Sequence, residues 1–223
     1  MRKIGIPGWK TGENSFGATV PYLQFISSLG GYPVILSPEH DIVDLDLLIL
    51  PGGMDINPSY YGQAPGFMTS NTDVFKQSFF ERHVPEYIKN KTPIFGICLG
   101  FQQLCVKYGC EFSQHFVTTY STKSREEAVE ELNLNIEFLK SISDNNLIWD
   151  KKTKGYTVNS LHHQAVLTTS SAFNTVALSR LYGNVEAVIH KTLPIAGVQW
   201  HPEELNNSFG DLVTHTLITN LLK

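Results

Sequence analysis

The chain has 223 residues, of which 42% are hydrophobic and 17% charged, and a formal net charge of −4. At roughly 100–200 residues per domain this composition predicts one folded domain over 1–223; it excludes a disordered chain and gives no positive field to gather nucleic acid or an anionic membrane. Apolar runs such as 47–50 and 94–98 fall far short of the ~20 residues that span a bilayer, residues 1–8 lack the apolar core of a signal peptide, and three cysteines make no disulfide framework, so the expectation is a cytoplasmic protein with reduced thiols.

The first half alternates two periodicities. Residues 3–7 predict a short strand, and 19–29 a helix stopped by Gly30-Gly31. Residues 33–36 predict a second strand. Residues 45–50 are an apolar run that ends at Pro51-Gly52-Gly53, as a buried strand does. Residues 73–89 carry Phe75, Phe79, Phe80, Val84 and Ile88 at broadly helical spacing, with Pro85 as a possible kink or stop. A buried strand at 93–97 runs into a helical pattern at 100–108. This order implies a parallel sheet with helices on both faces. The second half reads as additional short strands at 132–138, 157–159, 165–168, 175–179, 186–189 and 195–200, closed by an amphipathic helix at 210–222. Between the halves, residues 118–131 (Thr118 to Glu131) are polar and charged, and are expected to form a mobile loop with a helical turn around 125–131.

The densest chemical signal is Gly96-Ile97-Cys98-Leu99-Gly100, an apolar strand entering Gly-x-Cys-x-Gly with a helix behind it. This is the strand–nucleophile–helix elbow with cysteine as the nucleophile. Glycines on both sides allow a sharp turn and close packing of helix on sheet. Cys98 then lies at a helix N-terminus, where exposed N–H groups favour a thiolate, and the N–H of Leu99 points toward a developing oxyanion. Cys105 and Cys110 have no such context and are expected to be structural; their spacing does not suit zinc. A nucleophilic thiol needs a base held by a third group. Of eight histidines, His201 stands out, because it follows the apolar run 195–200 and has Glu203 two residues on, a carboxylate able to fix its tautomer.

Residues 96–102 and the stretch Gly197-Val198-Gln199-Trp200-His201-Pro202-Glu203 together resemble the class I glutamine amidotransferase-like superfamily. The stretches 50–62 and 158–166 look like its γ-glutamyl hydrolase branch, peptidase family C26. The resemblance implies an α/β, flavodoxin-like fold with a mostly parallel central sheet. It implies Cys98 as nucleophile, His201 as general base and acid, Glu203 (rather than Glu204) as orienting carboxylate, and Gly53 and Leu99 as oxyanion donors. Gly52, Gln102, Asn159, Ser160, Leu161, His162 and His163 are the implied substrate contacts. Neither a cofactor nor a metal is expected. The implied reaction is hydrolysis of a γ-glutamyl amide through a Cys98 thioester; the candidate leaving groups are a γ-aminobutyrate-like amine, a γ-glutamyl peptide and a nucleotide phosphoramidate as in γ-glutamyl-CDP-amidate. The alternative is the glutaminase subunit of a two-chain amidotransferase with a synthetase partner; a homodimer is a further expectation. The chain departs from the branch at Leu99, where arginine is common, and at Thr72-Asp73, where Arg-Asp is common. Residues 118–131 match nothing in the branch and are a candidate for leaving-group specificity.

Overall fold

In a computed structural model, the residues described are 1–69, 72–118, 123–124, 127–144, 156–205 and 208–223, the last without the side chains of 208–211. Strands β1 (Arg2–Pro7), β4 (Gly31–Leu36), β5 (Leu47–Leu50), β6 (Ile94–Ile97) and β13 (Ile195–Val198) form a parallel array in the order β4-β1-β5-β6-β13. The sheet continues antiparallel through β12 (Val185–His190), β11 (Phe173–Ser179), β8 (Val129–Leu134) and β9 (Tyr156–Asn159). A side branch pairs β10 (Ala165–Thr168) with β12 and with β7 (Glu111–Ser113). A small hairpin, β2 (Trp9–Gly12) with β3 (Ser15–Gly17), stands off the sheet.

Helices cover both faces. One face carries α1 (Val20–Ser28), α4 (Ile136–Ile142) and α5 (Ser208–Leu221), which bury Tyr22, Ile26, Leu139, Val213 and Leu217 against Ile4, Ile49, Phe95 and Ile97. The other carries α2 (Val74–Lys89) and α3 (Leu99–Lys107), which bury Phe79, Tyr87, Phe101 and Leu104 against Leu48, Leu50 and Ile94. Alternate residues of β5 therefore feed opposite cores, and all four are buried. That explains why this strand is continuously apolar rather than alternating.

Three expectations change. Residues 132–138 are not one strand: β8 ends at Leu134, and Asn135 caps α4 by accepting from the Phe138 N–H at 3.2 Å. A side-chain cap of this kind competes with strand extension and starts a helix instead. The 118–131 segment does not stay a loop to its end, because Val129, Glu130 and Glu131 begin β8 and pair with β9. Its start is anchored too, since Thr118 is buried and its hydroxyl donates to the His162 carbonyl. Residues 119–122 and 125–126 lie outside the described residues; of the helical turn expected around 125–131, residues 129–131 are strand. Finally, α2 runs through Pro85 without ending. No helix among the described residues is long and apolar enough to cross a membrane.

The parallel strands β5, β6 and β13 are neighbours and point the same way. Their carboxyl ends deliver Gly52-Gly53, Cys98 and His201 to one edge of the sheet. Crevices of open α/β sheets form at such edges.

Candidate active site

Cys98 links β6 to α3 with φ 49° and ψ −102°, a backbone conformation that a residue with a side chain seldom adopts. Its neighbours make this turn possible. A Cβ on Gly100 would lie 2.3 Å from the Leu50 carbonyl oxygen, and one on Gly96 would lie 2.6 Å from the Phe101 nitrogen. Only glycine fits at either position, so the sequence bracket records how closely α3 sits on β5 and β6. The Cys98 N–H donates to the Val198 carbonyl at 2.9 Å, which ties the elbow to β13. The first i to i−4 bond of α3 runs from Gln102 to the Cys98 carbonyl. The Leu99 N–H is thus among the helix-start donors with no partner inside the helix.

His201 follows β13 and is held at both ends. Its Nδ1 lies 2.7 Å from Glu203 Oε1, a contact that fixes the proton on Nδ1 and leaves Nε2 as the reactive nitrogen. Its backbone is clamped by Asn159, which donates Nδ2–H to the His201 carbonyl at 2.9 Å and accepts the His201 N–H on Oδ1 at 2.8 Å. Burial alone would lower the imidazole pKa. Electrostatic and hydrogen-bonding interactions with Cys98, and then with Glu203, overcome that and hold it well above 6.5. Glu203 is buried, whereas Glu204 is exposed. His201, Glu203 and Glu204 bring ligand-type atoms within 4.8 Å of one another, but the Glu203 oxygen nearest His201 is engaged with Nδ1.

The cleft beside Cys98 is lined by Gly53, Asp55, Gln102, Leu161, His162 and His163, among others. A second hollow, between α2 and α3 around Phe80, Pro85 and Val106, holds none of the predicted site residues. Within the cleft the predicted contacts fall into two groups. Gln102 is buried, and its Nε2 donates to the Gln164 carbonyl at 3.0 Å and to Gln199 Oε1 at 3.1 Å. His162 is also buried: Nδ1–H donates to the Gln164 carbonyl at 2.9 Å, and Nε2 faces Ser160 Oγ at 3.4 Å and Glu186 Oε1 at 3.7 Å. Burial pushes its pKa down to about 4, and burial followed by the Glu130 charge pushes Glu186 well above the carboxylate range. Both shifts favour the uncharged forms, and the two side chains form part of the cleft's frame. Asn159 and Ser160 are likewise turned to framework contacts. His163 differs. It is half-buried, and its Nε2 lies 2.9 Å from Asp55 Oδ1, whose hydrogen bond raises the His163 pKa against the opposing effect of burial.

A family model described as Peptidase C26 matches residues 8–203. The chain belongs to the peptidase C26 family. Relatives named as glutamine amidotransferase-like place this C26 chain in the class I glutamine amidotransferase-like superfamily. It is 30% identical over 199 residues to Protein NtpR of Enterococcus hirae, covering 84% of this chain and 81% of the relative. It is 27% identical over 181 residues to a glutamine-hydrolyzing GMP synthase subunit of Methanospirillum hungatei, covering 81% and 86%. Among solved structures, a Thermoplasma acidophilum protein described as a GMP synthase subunit superposes with a TM-score of 0.65 at 23% identity, over 99% of this chain and 94% of the other. That likeness concerns the fold.

Among the residues of the candidate site that the sequence did not single out are Tyr22, Lys76 and Asp55. Tyr22 on α1 accepts the Gly52 N–H on its hydroxyl at 2.8 Å. Burial, and then the nearby Glu203 carboxylate, push its pKa well above 10. Lys76 on α2 donates to the Gly52 carbonyl at 2.8 Å. Asp55 meets His163 across the cleft. Asp55 lies inside the 50–62 motif, so its position was a usable signal; Tyr22 and Lys76 had none beyond helical periodicity.

Proposed function

We propose that the chain hydrolyses a γ-glutamyl amide by acyl transfer through Cys98. The observation that carries this reading is the strained Cys98 elbow facing a His201 that is itself braced by Glu203 at 2.7 Å. In this mechanism the Cys98 thiolate attacks the γ-carbonyl carbon and its oxygen becomes an oxyanion. The N–H groups of Gly53 and Leu99 receive that charge, and each such donor is worth roughly 10²–10³-fold in rate. The His201 imidazolium gives its proton to the leaving nitrogen as the C–N bond breaks. The neutral imidazole then takes a proton from water, which attacks the thioester and releases glutamate.

The head of the substrate carries an α-ammonium and an α-carboxylate. The Asp55 carboxylate, with Oδ1 2.9 Å from His163 Nε2, lines the cleft and offers an anionic oxygen for the ammonium. Asp55→Asn is expected to raise KM for a γ-glutamyl amide about 10-fold or more while kcat changes less, because hydrogen bonds to charged groups contribute about 1.5–3 kcal/mol. Steady-state kinetics on a single amide checks this.

A second reading is a glutaminase subunit that passes ammonia to a synthetase; it is favoured by relatives named as glutamine-hydrolyzing GMP synthase subunits. Glutamate release by the purified chain distinguishes the two, with glutamine and a panel of γ-glutamyl amides offered in parallel. Rapid turnover of one amide, with glutamine poor, supports a stand-alone hydrolase. Slow glutamine turnover that rises on adding a synthetase supports the two-chain enzyme. Absence of any Cys98-dependent glutamate release under either condition sinks both.

A further inference from the structure

We propose that Lys76 is a positioning residue for the oxyanion site: by donating to the Gly52 carbonyl, it fixes and polarises the peptide whose own N–H belongs to Gly53. The proposal rests on Gly53 serving as an oxyanion donor. The Gly52 carbonyl and the Gly53 N–H are two ends of one rigid peptide plane. Lys76 Nζ lies 2.8 Å from that carbonyl. Placing a cation on the oxygen draws electron density through the amide and makes the N–H a stronger donor, and hydrogen bonds in a chain reinforce one another in this way. It also prevents the peptide from rotating its N–H out of the cleft.

The surroundings of Lys76 are those of a built group rather than a surface cation. Its side chain is 8% exposed, and Nζ lies 3.3 Å from Asp73 Oδ2 and 4.1 Å from the centroid of the Trp9 ring. Asp73 is also the α2 cap, accepting the N–H groups of Phe75 and Lys76 at 3.1 Å each. The helix start that places the Lys76 backbone thus also holds its charge. A Cβ on Gly53 would lie 3.1 Å from Nζ and 2.7 Å from Leu99 Cδ2, so the Gly53 peptide is packed between the lysine and the residue after Cys98. On the other side, Trp9 packs edge-on against Tyr22, with ring centroids 5.6 Å apart, and Tyr22 holds the preceding peptide through the Gly52 N–H. One indole therefore backs both side chains that grip Gly52. Burial lowers the Lys76 pKa, and Asp73 in the first place, then the Cys98 and Glu203 charges, oppose it.

Two reactions at Cys98 separate this role from a general effect on the thiol. Acylation by p-nitrophenyl acetate passes through a tetrahedral oxyanion. Alkylation by iodoacetamide displaces iodide at a saturated carbon and develops no oxyanion. Both are measured on the peptide carrying Cys98 by mass spectrometry, so that any labelling of Cys110, a half-buried free thiol lowered to about 7 chiefly by its contact with Cys105, is not counted. Lys76→Met keeps the aliphatic packing on Trp9 and removes the donor. It is expected to slow acylation about 10–10²-fold, less than losing an oxyanion donor outright, and to leave alkylation within about two-fold. Lys76→Gln keeps a neutral donor and is expected to lose less than Met. Should the Met variant fail to fold, the Gln variant carries the same comparison and must still show the selective loss. Unchanged acylation overturns the proposal. So does a parallel fall of both reactions, which would assign Lys76 to the thiolate instead, and so does an unmodified chain whose Cys98 is not acylated. Neither probe contains a glutamyl group. A selective loss alongside failure on every γ-glutamyl amide would therefore count against the functional reading alone.

Discussion

Cys98→Ala is expected to abolish glutamate release, His201→Ala to lose nearly as much, and the double variant to lose no more than the worse of the two. Groups that act as one unit are grossly non-additive, and removing the nucleophile or base of a comparable unit costs about 10⁴–10⁶-fold in kcat. The expectation follows from geometry. Cys98 is held at φ 49° by glycines on both sides, and His201 is clamped through its backbone by Asn159 and through its ring by Glu203. Single-turnover and steady-state rates of the three variants check this, with circular dichroism confirming the fold. Losses that multiply in the double variant would mean that the two side chains act independently and would remove the acyl-transfer mechanism.

Glu203→Gln is expected to slow turnover roughly 10²–10⁴-fold, whereas Glu204→Gln stays within a few-fold. The Glu203 side chain is buried against His201 Nδ1, and Glu204 is exposed, so a charge change there is screened. The pH profile supplies an independent sign. His201 must be protonated to release the leaving nitrogen, so kcat/KM falls on the alkaline side as His201 deprotonates. The raised pKa of His201 puts that limb above about 6.5. Replacing the Glu203 charge by an amide removes one of the two influences that raise it, so the limb moves toward lower pH. A Glu203→Gln limb that stays in place, or moves up, would mean that Glu203 does not stabilise the imidazolium.

Much of the sheet was legible because its signals are local. The elbow is written in five consecutive residues, since the glycines flanking Cys98 report a steric need of the turn itself. His201 and Glu203 are two apart and meet without help from the rest of the chain. Where tertiary context intervened, the reading slipped. Asn135 looked like part of a strand, but its side chain caps α4. The apolar spacing of α2 suited a helix despite Pro85, and packing of Phe79 and Tyr87 against β5 and β6 carries it through. The resemblance carried by the 158–166 stretch implies Asn159, Ser160 and His162 as substrate contacts. In the structure their polar groups bond to His201, Ala128 and Gln164, pairings that depend on the tertiary fold.

The sequence by itself determined the α/β class and the family, and it singled out Cys98, His201 and Glu203 as candidates, because each signal lies in periodicity or in motifs a few residues long. Only the tertiary structure decided what surrounds them. Tyr22 reaches Gly52 across 30 positions, Lys76 reaches the same residue across 24, Asn159 reaches His201 across 42, and Asp55 reaches His163 across 108. No local pattern encodes such pairs. They exist because parallel strands β5, β6 and β13 end side by side, and the loops and helices that follow each strand must converge on one edge of the sheet.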